Sequence, residues 1–572
     1  EIDRVQDAIV QALTESPDTV LLYNADDPLC AMVALRVPNK AISFGVGEDL
    51  HQQQNVVSDA QMCQRCSAMF TYEYRQYGQL GTYSCPNCGF KRPELDFAAK
   101  HAVFGDEIIF DVEERATGAS VSLRAQRAGV YMIYNVMAAW LASHCAGVND
   151  EVFQQAVDLF DPQNGRLQSL TIQGRPVLLN LAKNPTGFNQ NMKLITQAEG
   201  KKVAAFFIND NEADGHDISW IWDCDFEELA EQEDVVVYAG GIRKNDLQLR
   251  LRYAGIEART INNVDEMVDE ALTMPADWKM YAIANYTSLP AVRDSLMARA
   301  DKTEAAQVTE GTTEPVHKTH ARVQQEGVEA LAENPLRIVH LFPDLLNLYG
   351  DGGNVRVLAQ RCTWRGIPVE VQAVHYGEEA DLDNADREQK LASEVLFAMK
   401  EDLRTYIETD GALLAICGGY QILGSRWLMG DEEVEGLSII NAETLRAGTG
   451  FDRLIDNIVL SSPLAKLPVV GYENHAGRTK LGLGVKPFGK VVSQVGHGND
   501  DVSGADGVLY RNCIGTYLHG PLLGKNPEIA DHLISVALQR KLKLDAPVKL
   551  AALDDSVEKE ANNYMVQRLG VL

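Results

Sequence analysis

The chain has 572 residues, 45% hydrophobic and 23% charged, a composition typical of a globular protein with roughly three or four domains. Its 81 acidic and 52 basic side chains give a net charge of −29, which disfavours nucleic acid as a partner because the phosphates would be repelled. No apolar run approaches the ~18–20 residues of a membrane span, and no signal peptide is visible. Ten cysteines are too few for a disulfide scaffold, so we expect a protein of the reducing cytoplasm.

Residues 1–168 are predicted to form an α/β domain with an insert at about 60–92. Helix-like and strand-like apolar runs alternate over 1–60. Apolar and polar residues alternate over 101–125, which indicates an antiparallel hairpin. A helix with alanine-rich packing is predicted within 129–160.

Two pairs of cysteines mark the insert. Cys63 and Cys66 form one Cys-x-x-Cys unit, Cys85 and Cys88 form another, and 18 residues separate the two units. Each unit can place two thiolates on one side of a tight turn, and two such turns complete a tetrahedral four-sulfur shell for zinc. We therefore predict a closed, structural zinc site. Redox-active thiols are the alternative, which the paired spacing disfavours.

Strands and helices alternate again over 169–300, which predicts a second α/β domain. Residues 301–335 are polar and lack an apolar period in their first half, as expected of a linker. A third domain is predicted over 336–545. The tail at 546–572 has weak helical character, and the sequence assigns it no function.

The third domain contains a candidate nucleophile, Cys417. An apolar run over 413–416 ends abruptly at this cysteine and the two glycines Gly418 and Gly419, which indicates a buried strand turning sharply into a helix. Such a turn exposes the thiol above a helix N-terminus, and a nearby histidine, here His519, further favours the reactive thiolate. The alternative is a buried cysteine beside a structural turn.

Five separated motifs make the third domain resemble the class I glutamine amidotransferases, in particular their cobyric-acid-synthase-like branch. In addition to the Cys417 segment, these motifs occur in the expected order at 337–341, 346–354, 386–389, 471–478 and 516–521. The resemblance implies a flavodoxin-like fold in which Cys417 attacks the amide of L-glutamine and His519 transfers the proton. The N–H of Gly418 would help hold the oxyanion, and Arg453 would bind the glutamine α-carboxylate. A surface salt bridge is the alternative role for Arg453.

The first two domains resemble Mur ligases, which use ATP with Mg to activate a carboxylate for attack by an amine. The matching segments are 22–28, 129–139, 164–166, 180–189, 209–223 and 240–243. A four-cysteine insert in such a core is characteristic of the MurT–GatD family of lipid II isoglutaminyl synthases. The resemblance implies that Asn135 lies near the adenine and Arg166 near the phosphates. A helix cap is the alternative for Asn135, and an ordinary surface residue for Arg166.

The acid that orients His519 is expected to come from another part of the chain, because Pro521 stands where class I enzymes usually carry a glutamate. The family resemblance implies an aspartate of the MurT-like domain, acting across an interface between the two parts. The candidates there are Asp214, Asp217, Asp223 and Asp225. We predict Asp217, and the alternative for each is an exposed loop acid or a helix cap.

Two features depart from these families. The glycine-rich phosphate loop with its Lys-Thr is not found in this sequence, so we expect the chain alone to bind ATP poorly or not at all. The strand and glycine run expected before Asp386 are reduced to 379–385. That loop normally supplies an oxyanion-hole N–H, a contribution of roughly 3–4 kcal/mol.

Together the resemblances predict glutamine- and ATP-dependent amidation of the D-glutamate α-carboxyl in the lipid II stem peptide, which gives D-isoglutamine. Lipid II would be met at the cytoplasmic membrane surface. One alternative is a cobyric-acid-type enzyme acting on a corrinoid, which the zinc insert and the Mur-like core disfavour. Another is a scaffold or binding protein that keeps the fold without the chemistry, as the missing phosphate loop would suggest.

Overall fold

The computed structural model describes residues 2–51, 62–66, 68–105, 107–125, 129–160, 165–301, 322–343, 350–374, 396–429, 432–446 and 453–571. The motif at 386–389, the short loop at 379–385 and most of the predicted linker lie outside these residues. The chain forms two compact units, one made by Glu1–Gln163 and the other by residues from Asn164 onward. Among the described residues, no helix is long and apolar enough to cross a membrane.

The first unit is built on a five-stranded mixed sheet. In spatial order its strands are Leu21–Asn24, Ala41–Val46, Phe97–Phe104, Ile108–Glu114 and Ser120–Ala125. The first three run parallel, and the last three form an antiparallel meander, whose last two strands are the predicted hairpin. The helices of this unit are Ile2–Thr14, Pro28–Arg36, Val130–Cys145 and Asp150–Asp158.

The helix Val130–Cys145 forms much of the core of the first unit. Ile133, Met137 and Leu141 recur at helical spacing along its buried face and pack with apolar side chains of the sheet. A separate antiparallel hairpin, Thr71–Tyr77 with Leu80–Ser84, belongs to the cysteine-bearing insert. Aromatic side chains of the insert form a small core together with Ala31 and Met32 of the helix Pro28–Arg36.

The second unit begins with a six-stranded sheet. In spatial order its strands are Arg259–Thr260, Val235–Gly240, Lys202–Phe207, Lys279–Ala284, Arg175–Leu181 and Gln168–Ile172. All neighbours are parallel except the last pair. The helices of this part are Pro185–Gln197, Glu227–Ala230, Lys244–Tyr253, Val264–Leu272 and Leu289–Arg299, with 3₁₀ turns at Glu212–Asp214 and Ser219–Asp223. This arrangement is the predicted second α/β fold.

The rest of the second unit combines short parallel and antiparallel sheets with helices. Parallel pairs join Leu336–Leu341 to Val369–Val374 and Leu413–Ile416 to Cys513–Thr516. The other strands are Arg426–Met429, Glu432–Glu435, Ala442–Arg446, Leu454–Ser461, Val469–His475, Gly477–Leu481, Gly489–Val491, Ala505–Asp506 and Val508–Tyr510. The helices are Gly352–Trp364, Lys400–Glu408, Gly418–Leu423, Leu522–Lys525, Pro527–Leu542 and Ser556–Arg568, with a 3₁₀ turn at Glu329–Leu331. The predicted α/β class is confirmed.

The two parts of the second unit share one hydrophobic core and a set of buried ion pairs. The tail contributes the helix Ser556–Arg568, which packs on the helix Lys244–Tyr253. Asp246 of the earlier part accepts from Lys525 of the later part at 2.7 Å and from Arg243 at 2.9 Å. Burial alone would raise the pKa of Asp246, but the two cations lower it well below its ordinary value. The parts are therefore packed together, and the tail has a structural role that the sequence did not reveal.

Candidate active site

Cys417 stands at a sharp turn between the strand Leu413–Ile416 and the helix Gly418–Leu423. Its backbone has φ 48° and ψ −107°, a conformation that costs energy for any residue with a side chain. The parallel pairing of Ile416 with Thr516 brings Cys417 and the segment after Thr516 to the same end of the sheet. The sequence pattern of an apolar strand followed by two glycines thus produces the predicted elbow.

His519 emerges from the neighbouring strand end and faces the Cys417 thiol. Its backbone N–H donates to the carbonyl of Tyr472 at 2.8 Å, which fastens the loop to the strand Val469–His475. The imidazole is only 1% exposed, and the nearby Cys417 sulfur acts on it electrostatically. The structure therefore brings together the two residues that the sequence proposed as nucleophile and base.

In this structure the carboxylate paired with His519 is Asp351 and not Asp217, which the sequence analysis predicted for this place; the role of Asp217 stays a prediction. Asp351 Oδ2 lies 2.8 Å from His519 Nδ1. Asp217 Oδ1 instead accepts from the N–H of Ser219 at 2.8 Å, a local bond two residues along the chain, and the N-cap of the 3₁₀ turn Ser219–Asp223 is Ile218. Burial is the main cause of the raised pKa of Asp351, and the charge of Asp217 adds to it from a distance. Asp351 lies in the 346–354 motif, directly before the helix Gly352–Trp364. An acidic residue within that motif was the signal in the sequence that could have pointed to Asp351 as the partner of His519.

The electrostatics of the site favour a charged histidine. Burial by itself would lower the pKa of His519, but the Asp351 carboxylate and the Cys417 sulfur raise it well above its ordinary value. An imidazolium beside Cys417 stabilises the thiolate, which is the nucleophilic form. The arrangement is therefore suited to nucleophilic attack followed by proton transfer to a leaving group.

A buried polar network supports this site from behind. The Tyr517 hydroxyl hydrogen-bonds with Thr479 at 2.6 Å and accepts from Gln421 at 3.2 Å, in the helix that follows Cys417. The Tyr517 ring stacks on His475 with centroids 3.6 Å apart and an interplanar angle of 6°. Asp506 accepts from the Thr516 hydroxyl below the His519 loop. These contacts fix the Cys417 helix and the His519 loop to one scaffold.

The predicted glutamine-binding groups have well-defined positions. Gly418 is buried at the start of the helix, where the first intrahelical bond runs from Gln421 N–H to Cys417 O, so its own N–H precedes the ladder. Arg453 is exposed, and Asn474 holds its guanidinium through the side-chain oxygen at 2.8 Å and the backbone carbonyl at 2.7 Å. Their roles toward glutamine stay predictions.

The four predicted metal ligands converge in the first unit. The Sγ atoms of Cys63, Cys66, Cys85 and Cys88 all lie within 4.8 Å of one another. The Cys63–Cys88 and Cys66–Cys85 pairs are 3.5 and 3.4 Å apart. Tetrahedral coordination at a Zn–S distance near 2.3 Å requires sulfurs about 3.8 Å apart, so the cluster fits a zinc ion. Phe70 packs edge-on against Tyr83 beside the cluster, with ring centroids 5.1 Å apart.

The two predicted nucleotide contacts belong to different units. Asn135 is exposed in the middle of the helix Val130–Cys145, whose N-cap is Gly129, so the capping alternative for Asn135 is wrong. Arg166 is exposed just before the strand Gln168–Ile172. Both side chains are therefore exposed to solvent, and their contact with a nucleotide stays a prediction.

Family models match both parts of the second unit. The "MurT ligase C-terminal" family matches residues 181–289, and the "CobB/CobQ-like glutamine amidotransferase domain" matches residues 337–527, which include Asp351, Cys417 and His519. The fold and the site thus define a glutamine amidotransferase domain joined to a domain of the MurT ligase C-terminal family.

Similar proteins cover both parts. The subunit GatD of the glutamine-hydrolysing lipid II isoglutaminyl synthase of Staphylococcus aureus (strain N315) is 38% identical over 243 residues, 41% of this chain and 96% of that subunit. The chain belongs to this lipid II isoglutaminyl synthase family, through its GatD-like part. The MurT subunit of Staphylococcus aureus (strain COL) is 31% identical over 297 residues, 52% of this chain; the match spans 66% of the MurT subunit, just under two thirds.

A solved pseudomurein peptide ligase type C from Methanothermus fervidus is 17% identical, with a TM-score of 0.38, over 49% of this chain and 56% of that one.

Proposed function

We propose that the chain catalyses glutamine-dependent amidation of the D-glutamate α-carboxyl in the lipid II stem peptide, with its GatD-like part acting as the glutaminase. The observation that carries this proposal is the hydrogen bond between His519 and Asp351 beside Cys417, which stands at the strand-to-helix turn. The names of the MurT and GatD relatives support the choice of lipid II as acceptor. We place the reaction in the cytoplasm, at the membrane surface where lipid II is accessible.

The glutaminase half-reaction follows from the site geometry. The Cys417 thiolate attacks the side-chain amide carbon of glutamine, and the N–H of Gly418 donates to the resulting oxyanion. His519 gives its proton to the leaving ammonia, which leaves a glutamyl thioester on Cys417. His519 then takes a proton from water, whose attack on the thioester releases glutamate and restores the Cys417 thiolate beside a protonated His519. Asp351 holds the imidazole in the orientation that serves both steps.

Arg453 completes the glutamine site in this proposal. Its guanidinium is exposed and held by Asn474 through two hydrogen bonds. A planar fork of N–H donors matches the geometry of the glutamine α-carboxylate, which would be bound at a fixed distance from the reacting amide.

The amidation step belongs to the MurT-like part. ATP with Mg, when bound, supplies the phosphate that activates the acceptor carboxylate for attack by ammonia. Asn135 and Arg166 are the residues that the resemblance assigns to the nucleotide, and both are exposed. The sequence contains no glycine-rich phosphate loop, so these residues alone do not make a phosphate cradle, and we derive no step through the nucleotide.

The four-cysteine cluster fits a structural zinc ion. Cys63, Cys66, Cys85 and Cys88 fill all four positions of a tetrahedral shell, which leaves no open site for a substrate. The ion would tie the insert's two cysteine turns together, and no catalytic role is proposed for it.

The first experiment measures ammonia release from glutamine by the purified chain, beside Cys417→Ala and Cys513→Ala. Cys513 is a buried cysteine on the strand that pairs with Leu413–Ile416, so it controls for the loss of any cysteine in this sheet. We expect Cys417→Ala to abolish release and Cys513→Ala to retain it. Ammonia release that survives in Cys417→Ala would contradict the proposed nucleophile, and no release from the unaltered chain would favour the scaffold alternative.

A second experiment separates lipid II from a corrinoid acceptor. The chain is incubated with ¹⁵N-amide glutamine, ATP, Mg and either lipid II or a corrinoid carboxylic acid, and ¹⁵N incorporation is measured by mass spectrometry. We expect label in lipid II only. Because the sequence lacks the phosphate loop, the assay is repeated with the amino-terminal part of a MurT relative added as a separate polypeptide. Label in the corrinoid would overturn the proposed acceptor.

A further inference from the structure

Three segments of the second unit meet beside the Asp351–His519 pair. A Cβ built on Gly353, two residues after Asp351, would lie 2.8 Å from Trp222 Cε3 and 2.6 Å from Pro521 Cγ. Pro521 is itself two residues after His519. The indole of Trp222 therefore packs against the segment that carries Asp351, at the point where this segment meets the loop that carries His519. Only a glycine fits at position 353, between Trp222 and Pro521.

The backbone on the other side of Asp351 is equally tight. Gly350 has φ +70°, and a Cβ there would overlap the carbonyl oxygen of Ser219 and lie 3.1 Å from Trp222 Cβ. Gly350, directly before Asp351, and Gly353, two residues after it, thus both lie against the same 3₁₀ turn, Ser219–Asp223. This turn belongs to the MurT-like part, whereas Asp351 and His519 belong to the GatD-like part.

Trp222 is held firmly in its own part. It is 4% exposed, and the Arg250 guanidinium lies 5.5 Å from its ring centroid. Arg250 also donates to the carbonyls of Ile221 at 3.2 Å and Cys224 at 2.6 Å, on either side of Trp222. Such a buried aromatic ring over an anchored arginine resists displacement, so the loops must conform to it.

We propose that Trp222 is a positioning residue that holds the Asp351 loop against the His519 loop and so preserves the Asp351–His519 hydrogen bond. The inference rests on the proposed function in one respect: glutamine hydrolysis is the reaction in which the Asp351–His519 pair would act. The glutaminase site is then complete only when the turn Ser219–Asp223 of the MurT-like part packs against the segment that carries Asp351. Removing the indole would leave a cavity at the start of the helix Gly352–Trp364, and a shift there moves Asp351 directly.

The chain offers a matched control in Trp364. It lies at the far end of the same helix and also packs across the interface, with its ring 5.1 Å from that of Tyr253 and 5.2 Å from the Arg252 guanidinium. Twelve residues of helix place it roughly 18 Å from the Asp351 end. Trp222→Leu and Trp364→Leu therefore make the same truncation at one interface, and of these two tryptophans it is Trp222 that lies against Gly350 and Gly353.

The experiment follows alkylation of Cys417 by iodoacetamide in the full chain from pH 5 to 9, with modification of the Cys417 peptide quantified by mass spectrometry. The groups that face His519 are Asp351 and Cys417, with Asp217 acting from further away. We expect Trp222→Leu to lower the rate at pH 6 about tenfold, because the misplaced imidazolium no longer stabilises the thiolate. Trp222→Phe keeps most of the ring and should restore the rate to within about threefold, and Trp364→Leu should leave the pH profile unchanged.

Equal profiles for Trp222→Leu and Trp364→Leu would overturn the proposal. If Trp222→Leu does not fold, Gly353→Ala decides the matter, because its Cβ pushes on Trp222 and Pro521 and should lower the rate in the same way; an unchanged rate would overturn the proposal. Alkylation needs no glutamine. A chain that releases no ammonia but shows the expected difference would therefore contradict the proposed glutaminase and still support the positioning role.

Discussion

The four-cysteine hairpin of the first unit and the Cys417 site of the second unit gather their residues over very different lengths of chain. Cys63 and Cys88 bound a single short segment, and its two tight turns are enough to converge four sulfurs. The Cys417 site joins Asp351, Cys417 and His519, which come from three separate segments, and it is braced by a fourth that includes Trp222. A site formed by local turns can be predicted from the spacing of its residues along the sequence. A site formed at strand ends depends on the order of the strands in the sheet.

Metal removal should have the largest effect on stability and should leave the Cys417 site untouched. Structural zinc contributes about 10–16 kcal/mol of binding free energy in isolated zinc fingers, and part of that would hold the hairpin here under the proposed zinc site. We expect chelation, or Cys66→Ser, to speed hydrogen exchange in the strands Thr71–Tyr77 and Leu80–Ser84. The control is Cys145→Ser, an exposed cysteine of the same unit. A zinc-free protein with unchanged exchange, or one with two disulfides, would favour the redox alternative.

Asp351→Asn should cause the largest loss of activity among single changes around His519. An asparagine keeps the shape but cannot stabilise the imidazolium, and the kcat of glutamine hydrolysis should fall about 10³–10⁴-fold. Asp217→Asn should lower kcat less than about tenfold, since Asp217 acts only through a more distant charge. Steady-state kinetics of both variants test this ranking. A larger loss in Asp217→Asn would show that Asp217 becomes the partner of His519 when glutamine is bound.

Arg453→Ala should raise the KM for glutamine about 10–100-fold with little change in kcat, since hydrogen bonds between charged groups contribute about 1.5–3 kcal/mol. The control is Arg511→Ala, an exposed arginine of the same part that pairs with Asp410. If both variants keep the original KM, Arg453 is a surface residue and another group binds the α-carboxylate.

Asp506→Asn should have the smallest effect and should stabilise the protein. Burial, assisted by Glu473, raises the pKa of Asp506 to about 7, well above its ordinary value. The folded state therefore binds a proton that the unfolded state has lost, and this group's contribution to stability falls as pH rises from about 4 to 7. We expect the variant to gain about 1–2 kcal/mol at pH 8 and nothing at pH 4, measured by urea unfolding.

Asp500 provides a control of opposite sign. Although burial acts to raise its pKa, the N–H groups of Ser503 and Val502 lower it, so its contribution is present at neutral pH and is lost in acid. Asp500→Asn should therefore destabilise at pH 8. If Asp506→Asn and Asp500→Asn shift stability in the same direction, the charge on Asp506 is not the source of the effect.

The sequence by itself determined the α/β class, the four-cysteine cluster, the turn at Cys417 and its pairing with His519. These features depend on local patterns: the spacing of cysteines, an apolar strand before two glycines, and motifs in a fixed order. The choice of Asp351 over Asp217, the packed tail helix and the contact of Trp222 with Gly353 were decided only by the tertiary structure. In each case the deciding quantity is a distance between residues far apart in the chain, which the ordering of strands sets and local pattern does not encode.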